Sequence, residues 1–149
     1  MSDILGCNIS EGTLYNARQR CFEELEPVEL HIVGALQTSP VAHFDETGAR
    51  VKGKLFWLHV ASSDLLTYYC IHGKRGTEAI NEMGILPQFK GTSVHDGLKS
   101  YAQYDCLHGL CNAHHLRELV FISERYQQSW AEQMIQLLLD IKTNVEESK

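Results

Sequence analysis

No stretch of this sequence is apolar for long enough to cross a bilayer, and the opening Met1-Ser2-Asp3-Ile4-Leu5 lacks the basic and apolar regions of a secretion signal. The expected compartment is therefore the cytoplasm, with no membrane partner. A disulfide framework is missing too. The five cysteines, Cys7, Cys21, Cys70, Cys106 and Cys111, are odd in number and irregular in spacing, so reduced thiols are expected. Basic residues are scarce: 13 Lys and Arg stand against 19 Asp and Glu, giving a formal net charge of −6 with no dense basic stripe. Proteins that grip nucleic acid draw much of their affinity from Lys and Arg neutralising phosphates. Either the partner is not nucleic acid, or the basic parts that hold it lie outside this segment. There is no internal repeat and no low-complexity tract.

What is present suits one ordinary domain with a short appendage: 149 residues, 44% hydrophobic and 21% charged. Three regions separate. Residues 1–39 read as an N-terminal helical segment, with Ser10 as N-cap ahead of Glu11, apolar residues from Leu14 to Leu25 at helical spacing, and a break at Pro27. Residues 40–113 change to short apolar runs rich in branched and aromatic residues. Val41–Asp45, Leu55–Ala61 and Leu66–Ile71 read as three antiparallel strands joined by Lys52-Gly53-Lys54 and Ser62-Ser63-Asp64. A short helix over Thr77–Ile85 follows, with Thr77 as a cap, then a strand over Gly91–His95, a second short helix over Leu98–Tyr104 and a short strand over His108–Cys111. Residues 114–149 read as a helical tail with a turn at Arg125–Ser129 and a frayed end from Asn144. The class is α/β, and three antiparallel strands followed by helix-strand-helix-strand is the element order of an RNase H-like core, an order that other mixed α/β domains share.

Two acids stand at the ends of strands: Asp45 after the first and Asp96 after the fourth. In that core the two strands are parallel neighbours, so the side chains would converge. A hard divalent cation takes oxygen ligands and keeps several waters, so few carboxylates suffice. Two such ions roughly 4 Å apart can activate the attacking oxygen and stabilise the leaving oxygen of a phosphodiester. On pattern alone each acid reads more readily as a turn residue, Asp96-Gly97 as a turn signal and Asp45-Glu46-Thr47-Gly48 as a hairpin opener.

The residues around them carry a resemblance. His43-Phe44-Asp45-Glu46-Thr47-Gly48, with Arg50-Val51-Lys52-Gly53-Lys54 and Trp57-Leu58-His59-Val60, is similar to the first catalytic block of IS66-family transposases. Lys74-Arg75-Gly76, Asp96-Gly97 with Tyr101, and Cys111-Asn112-Ala113-His114 with Leu116-Arg117-Glu118-Leu119 are similar to later blocks. The resemblance runs from about Ile9 to Ile141. It implies DDE-type transposition, with Asp45 and Asp96 as the first two catalytic, metal-binding acids and Mg²⁺ (or Mn²⁺) as cofactor. It also implies DNA partners (element ends and target) and self-association. The family's third acid is a glutamate in a downstream Asp-Asn-Asn block that nothing here matches; Glu124, Glu132, Glu146 and Glu147 precede that position. The chain therefore resembles a C-terminally truncated fragment, expected to be inactive alone. His95 stands where the family often has a small residue.

Lys52, Lys54, Lys74, Arg75 and Arg117 are the candidate phosphate contacts, although each also reads as an ordinary solvated residue. Cys106, His108, Cys111, His114 and His115 crowd into ten residues. Zinc favours such ligands, but a closed tetrahedral site from one short stretch would be strained, so zinc is not expected and Cys111 and His114 are assigned a structural role. Ser10-Glu11-Gly12-Thr13-Leu14 resembles the last helix of a helix-turn-helix. The alternative function is a non-catalytic interaction module that binds full-length transposase or DNA ends.

Overall fold

Burial alternates strictly along the first six residues of the first strand: Ala42, Phe44 and Glu46 face inward, and Val41, His43 and Asp45 face outward. This period of two is what a pleated strand with one covered face requires. The computed structural model describes Gly6 and residues 9–148. The start at residues 1–5 and Cys7, to which the leader and thiol expectations refer, lie outside the described residues.

Helix α1 (Glu11–Glu24) is capped by Ser10, whose hydroxyl accepts from the Thr13 amide, as the sequence leads one to expect. It buries no residue. The chain does break near Pro27, but helix resumes at once: α2 (Glu26–Gln37) carries the proline in its first turn, where a missing amide costs nothing. Strands β1 (Val41–Val51), β2 (Lys54–Ser62) and β3 (Thr67–His72) form an antiparallel meander. Helix α3 (Thr77–Met83) and a 3₁₀ turn (Leu86–Gln88) lead to β4 (Thr92–His95) and β5 (Leu107–Leu110), both parallel to β1. Helices α4 (Asn112–Tyr126) and α5 (Ser129–Glu147) close the chain as a hairpin turning at Gln127, which adopts a left-handed backbone. The sheet order β3-β2-β1-β4-β5 is that of an RNase H-like core, so the expected fold class stands.

Several local expectations need correction. Leu98–Tyr104 is not a second helix but a series of turns, with i→i+3 bonds from Tyr101 to Leu98 and from Tyr104 to Tyr101. The Tyr101 ring is drawn inward between Phe44 and His95, and that anchor wins over a regular helical ladder. Gly76, not Thr77, occupies the cap position of α3, and the Thr77 hydroxyl instead accepts from the Gln103 amide. The tail beyond Asn144 stays helical to Glu147.

The core lies on one face of the sheet. Leu36 from α2, Ala42, Phe44 and Ala61 from the strands, Ile80 and Met83 from α3, and Ile85, Leu86, Phe89 and Tyr101 from the loops form one cluster. Each fully buried large side chain contributes roughly 1.5–3 kcal/mol. The opposite face carries exposed Tyr69 and Ile71 beside His43 and Asp45. Past Trp57, which still has His72 as a partner in β3, the β1–β2 hairpin continues as a two-stranded arm closed by Lys52 and Gly53, both with positive φ.

The phenol of Tyr68 donates to Glu29, tying β3 to α2 (3.0 Å). Burial, then the bond to Glu29, pushes the Tyr68 hydroxyl up to about 12. A raised value means that the unfolded chain loses the proton first, so this contribution is whole below about pH 10 and is lost as pH rises through 12. Melting temperature should therefore fall between pH 10 and 12, and more shallowly in Tyr68→Phe than in the wild type. Parallel slopes for the two proteins in thermal melts would remove Tyr68 from the account.

Candidate active site

The parallel ladder pairs Val41 with Thr92, Ala42 with Ser93 and His43 with Val94. The ladder stops there, two residues short of Asp45 on β1 and of Asp96, which lies just past the end of β4. Residues 51 positions apart in sequence are thus paired on neighbouring strands (94 − 43 = 51). Asp45 is largely open, and its Oδ1 accepts from the Glu46 amide (2.9 Å). Asp96 is tighter: Oδ1 accepts from the Leu98 amide (2.8 Å), which leaves Oδ2 toward Arg75 (3.4 Å).

Arg75 is held by a buried carboxylate and an aromatic ring. Its Nε donates to Glu46 Oε1 (2.8 Å), and its guanidinium stacks over Trp57 with 5.0 Å to the ring centroid. The Glu46 side chain is only 1% exposed and also accepts from the Tyr101 hydroxyl. Burial, then the bond to Glu46, raises the Tyr101 hydroxyl far above its ordinary range; the same carboxylate raises Arg75. The loop that carries Arg75 is pinned on both sides. His59 Nε2 donates to the Lys74 carbonyl (3.1 Å), and the Lys74 amide donates to His72 Nδ1 (3.0 Å).

Glu46 had a legible signal. A charged residue two positions beyond buried Phe44 on the same strand faces the core, and a buried carboxylate needs partners. Ending the first strand at Asp45 hides it.

A second chain of bonds fixes the Asp96 turn. The Gly97 amide donates to His95 Nδ1 (3.0 Å), so His95 carries its proton on Nε2 and donates to His108 Nδ1 (3.0 Å). His108 Nε2 in turn donates to the Tyr104 carbonyl (3.1 Å). A backbone donor at one end and a backbone acceptor at the other set both tautomers. Burial, then His108, holds His95 below the ordinary histidine range, in keeping with a neutral ring. His95 is thus the packed partner of Tyr101 that a small residue could not be.

The other sequence candidates separate. His114 comes to the site, with Nε2 3.8 Å from Asp45 Oδ1 and a buried Nδ1 that has no partner. Cys111 marks the handover from β5 to α4 through its backbone, the amide donating to the His95 carbonyl (2.8 Å). Cys106 Sγ lies 3.9 Å from His108 Nε2, and the four described cysteines are unpaired. Lys74 pairs with Glu78 on α3, and exposed Arg117 sits one turn beyond His114 on α4. Lys52 and Lys54 are at the tip of the arm, away from the acids. Among the described residues no three His, Cys, Asp or Glu side chains converge as a metal-holding group.

A family model for the IS66 transposases matches residues 1–149. The chain belongs to the IS66 transposase family. Among curated proteins, none matches it. Solved structures resemble this IS66 member distantly. The HTLV-2 integrase catalytic core domain in complex with magnesium is 13% identical in its dimeric form, covering 58% of this chain and 70% of that one at a TM-score of 0.38. The trimeric form is 11% identical, covering 64% and 81% at 0.38. A simian T-cell lymphotropic virus intasome in complex with PP2A regulatory subunit B56 gamma is 10% identical, covering 67% and 48% at 0.39. No helix among the described residues is long and apolar enough to cross a membrane.

Proposed function

We propose that this IS66-family chain carries the first two carboxylates of a DDE-type site for metal-dependent DNA strand cleavage and transfer. The observation that supports it most is that β1 and β4 run parallel and in register up to His43 and Val94, each two residues short of an acid. Carboxylate oxygens suit Mg²⁺ or Mn²⁺, which proteins hold through one or two carboxylates completed by waters and substrate phosphates. Asp45 and Asp96 would hold such an ion. When bound, it would lower the pKa of an attacking water and stabilise the leaving oxygen. The chain's own part is to fix the two acids: the Leu98 amide orients Asp96, and the Glu46 amide orients Asp45. Lys52 and Lys54 on the arm, with Lys74, Arg75 and Arg117 nearer the acids, are the proposed contacts to DNA phosphates. With two carboxylates rather than three, little strand transfer is expected from this chain alone.

Mn²⁺ binding measured by calorimetry or paramagnetic resonance tests the reading. Asp45→Asn and Asp96→Asn should each weaken binding about tenfold to a hundredfold, since each removes one of two charged oxygen donors. Binding that is indifferent to both changes would sink the assignment.

A second reading, a non-catalytic module that binds full-length transposase, is favoured by the apolar residues that α5 leaves exposed. Trp130, Met134, Leu137 and Ile141 fall on that helix at spacings of three or four. Co-purification of the chain with full-length protein, set against an electrophoretic shift with element-end DNA, separates the two readings.

A further inference from the structure

We propose that Arg75 is a placeholder cation for Asp96: it holds the Asp96 carboxylate while no divalent ion is bound and competes with that ion for the same oxygen. The inference rests on the reading of Asp96 as a metal ligand and goes one step beyond it.

The two bonds of the guanidinium are unequal. Nε meets Glu46 at 2.8 Å, whereas Nη2 meets Asp96 at 3.4 Å, near the outer limit of a hydrogen bond. Glu46 is 1% exposed and cannot turn to water for solvation, while the Asp96 side chain is 22% exposed and can. A charge-assisted bond to a buried carboxylate is the harder of the two to break. Stacking on Trp57 and the two histidine bonds at Lys74 hold the rest of the side chain and its loop in place. Arg75 is therefore anchored without Asp96, and its hold on Asp96 is the releasable one.

Asp96 is built to complement this. Oδ1 is committed to the Leu98 amide, so Oδ2 is the atom on which guanidinium and divalent ion would meet. Two cations on one oxygen repel each other, and near a protein surface that repulsion is only partly screened. The anchored guanidinium consequently weakens ion binding at rest, and its Nη2 edge is freed when an ion takes Oδ2.

The test is Mn²⁺ affinity in the full chain, with circular dichroism to check folding. Arg75→Gln removes the competing charge and should bind Mn²⁺ about five- to tenfold more tightly. Arg75→Lys keeps a cation for Glu46 but lacks the fork that reaches Asp96 as well, so it should also bind more tightly, by about threefold. A merely structural role for Arg75 predicts the opposite sign. Folded variants with unchanged or weaker affinity overturn the proposal. Asp96→Asn separates the two levels: unchanged Mn²⁺ affinity there defeats the metal reading itself, whereas weakened affinity without tightening in the Arg75 variants defeats only this inference. The wild type supplies a readout that needs no variant. In ¹⁵N spectra, saturating Mg²⁺ should broaden the Arg75 Nη2 resonances and leave Nε–H unchanged. Nη2 signals that ignore Mg²⁺ also overturn it.

Discussion

Gly91→Ala is expected to be the most damaging single-methyl change in this chain, lowering stability by about 4 kcal/mol or preventing folding. A Cβ at Gly91 would lie 2.5 Å from the carbonyl oxygens of both Ser39 and Pro40 and 2.8 Å from the Phe89 ring. Two of the three obstacles are backbone, so no rotamer change relieves them. The same spot is a junction: the Thr92 amide donates to Pro40, and the Gly91 carbonyl accepts from Leu107. Relief would therefore part β4 from β1 at the point that begins their shared register. For a chain of this length, such a loss lowers the melting temperature by about 8–16 °C. Gly34→Ala is the control. It sits in α2 with nothing within 4 Å, and it should stabilise by about 0.5–1 kcal/mol. A folded Gly91→Ala protein melting within about 3 °C of the wild type would refute the close-approach argument.

Glu46→Ala should cost about 3 kcal/mol, through three effects of different size. The Tyr101 hydroxyl, buried with its ring, loses its acceptor, which costs about 1–3 kcal/mol. The space left by the side chain adds a cavity term of about 1 kcal/mol. Arg75 loses its best partner, yet its side chain is 42% exposed and can hydrate, so this part is small and falls below the 3–5 kcal/mol of a fully buried pair. Glu46→Gln should cost less, about 1–2 kcal/mol, because an amide oxygen still accepts from Tyr101. Denaturant unfolding of both variants decides between these contributions. Equal losses in the two would mean that the charge pair, and not the Tyr101 bond, carries the effect.

The difference between what could be read in advance and what could not has a physical basis at each position. Strand periodicity and turn residues are local, so all five strands, the Lys52-Gly53 turn and the Ser10 cap were legible. Asp45 and Asp96 were flagged by surrounding motifs, whereas the pairing of the strands that precede them joins segments far apart in sequence. Leu98–Tyr104 misled because its helical spacing is real, while the pull of Tyr101 into the core comes from Phe44 and His95, which are distant in the chain or on another element. Arg75 read as a solvated base for the same reason. Nothing adjacent to it announces Glu46, whose own burial becomes visible only when β1 is followed past Asp45.

The length of β1 also sets a distance. The arm turns at Lys52, seven residues beyond Asp45 (52 − 45 = 7), and strand residues advance about 3.3 Å each, so its tip lies about 23 Å from the acids. B-form DNA rises about 3.4 Å per base pair, which makes that span about seven base pairs. On the proposed function, the arm acts as a ruler laid from the cleavage point. Lys52 and Lys54 would meet phosphates at one fixed offset from the cut, and shortening the hairpin by one cross-strand pair of residues would move that contact about one base pair closer.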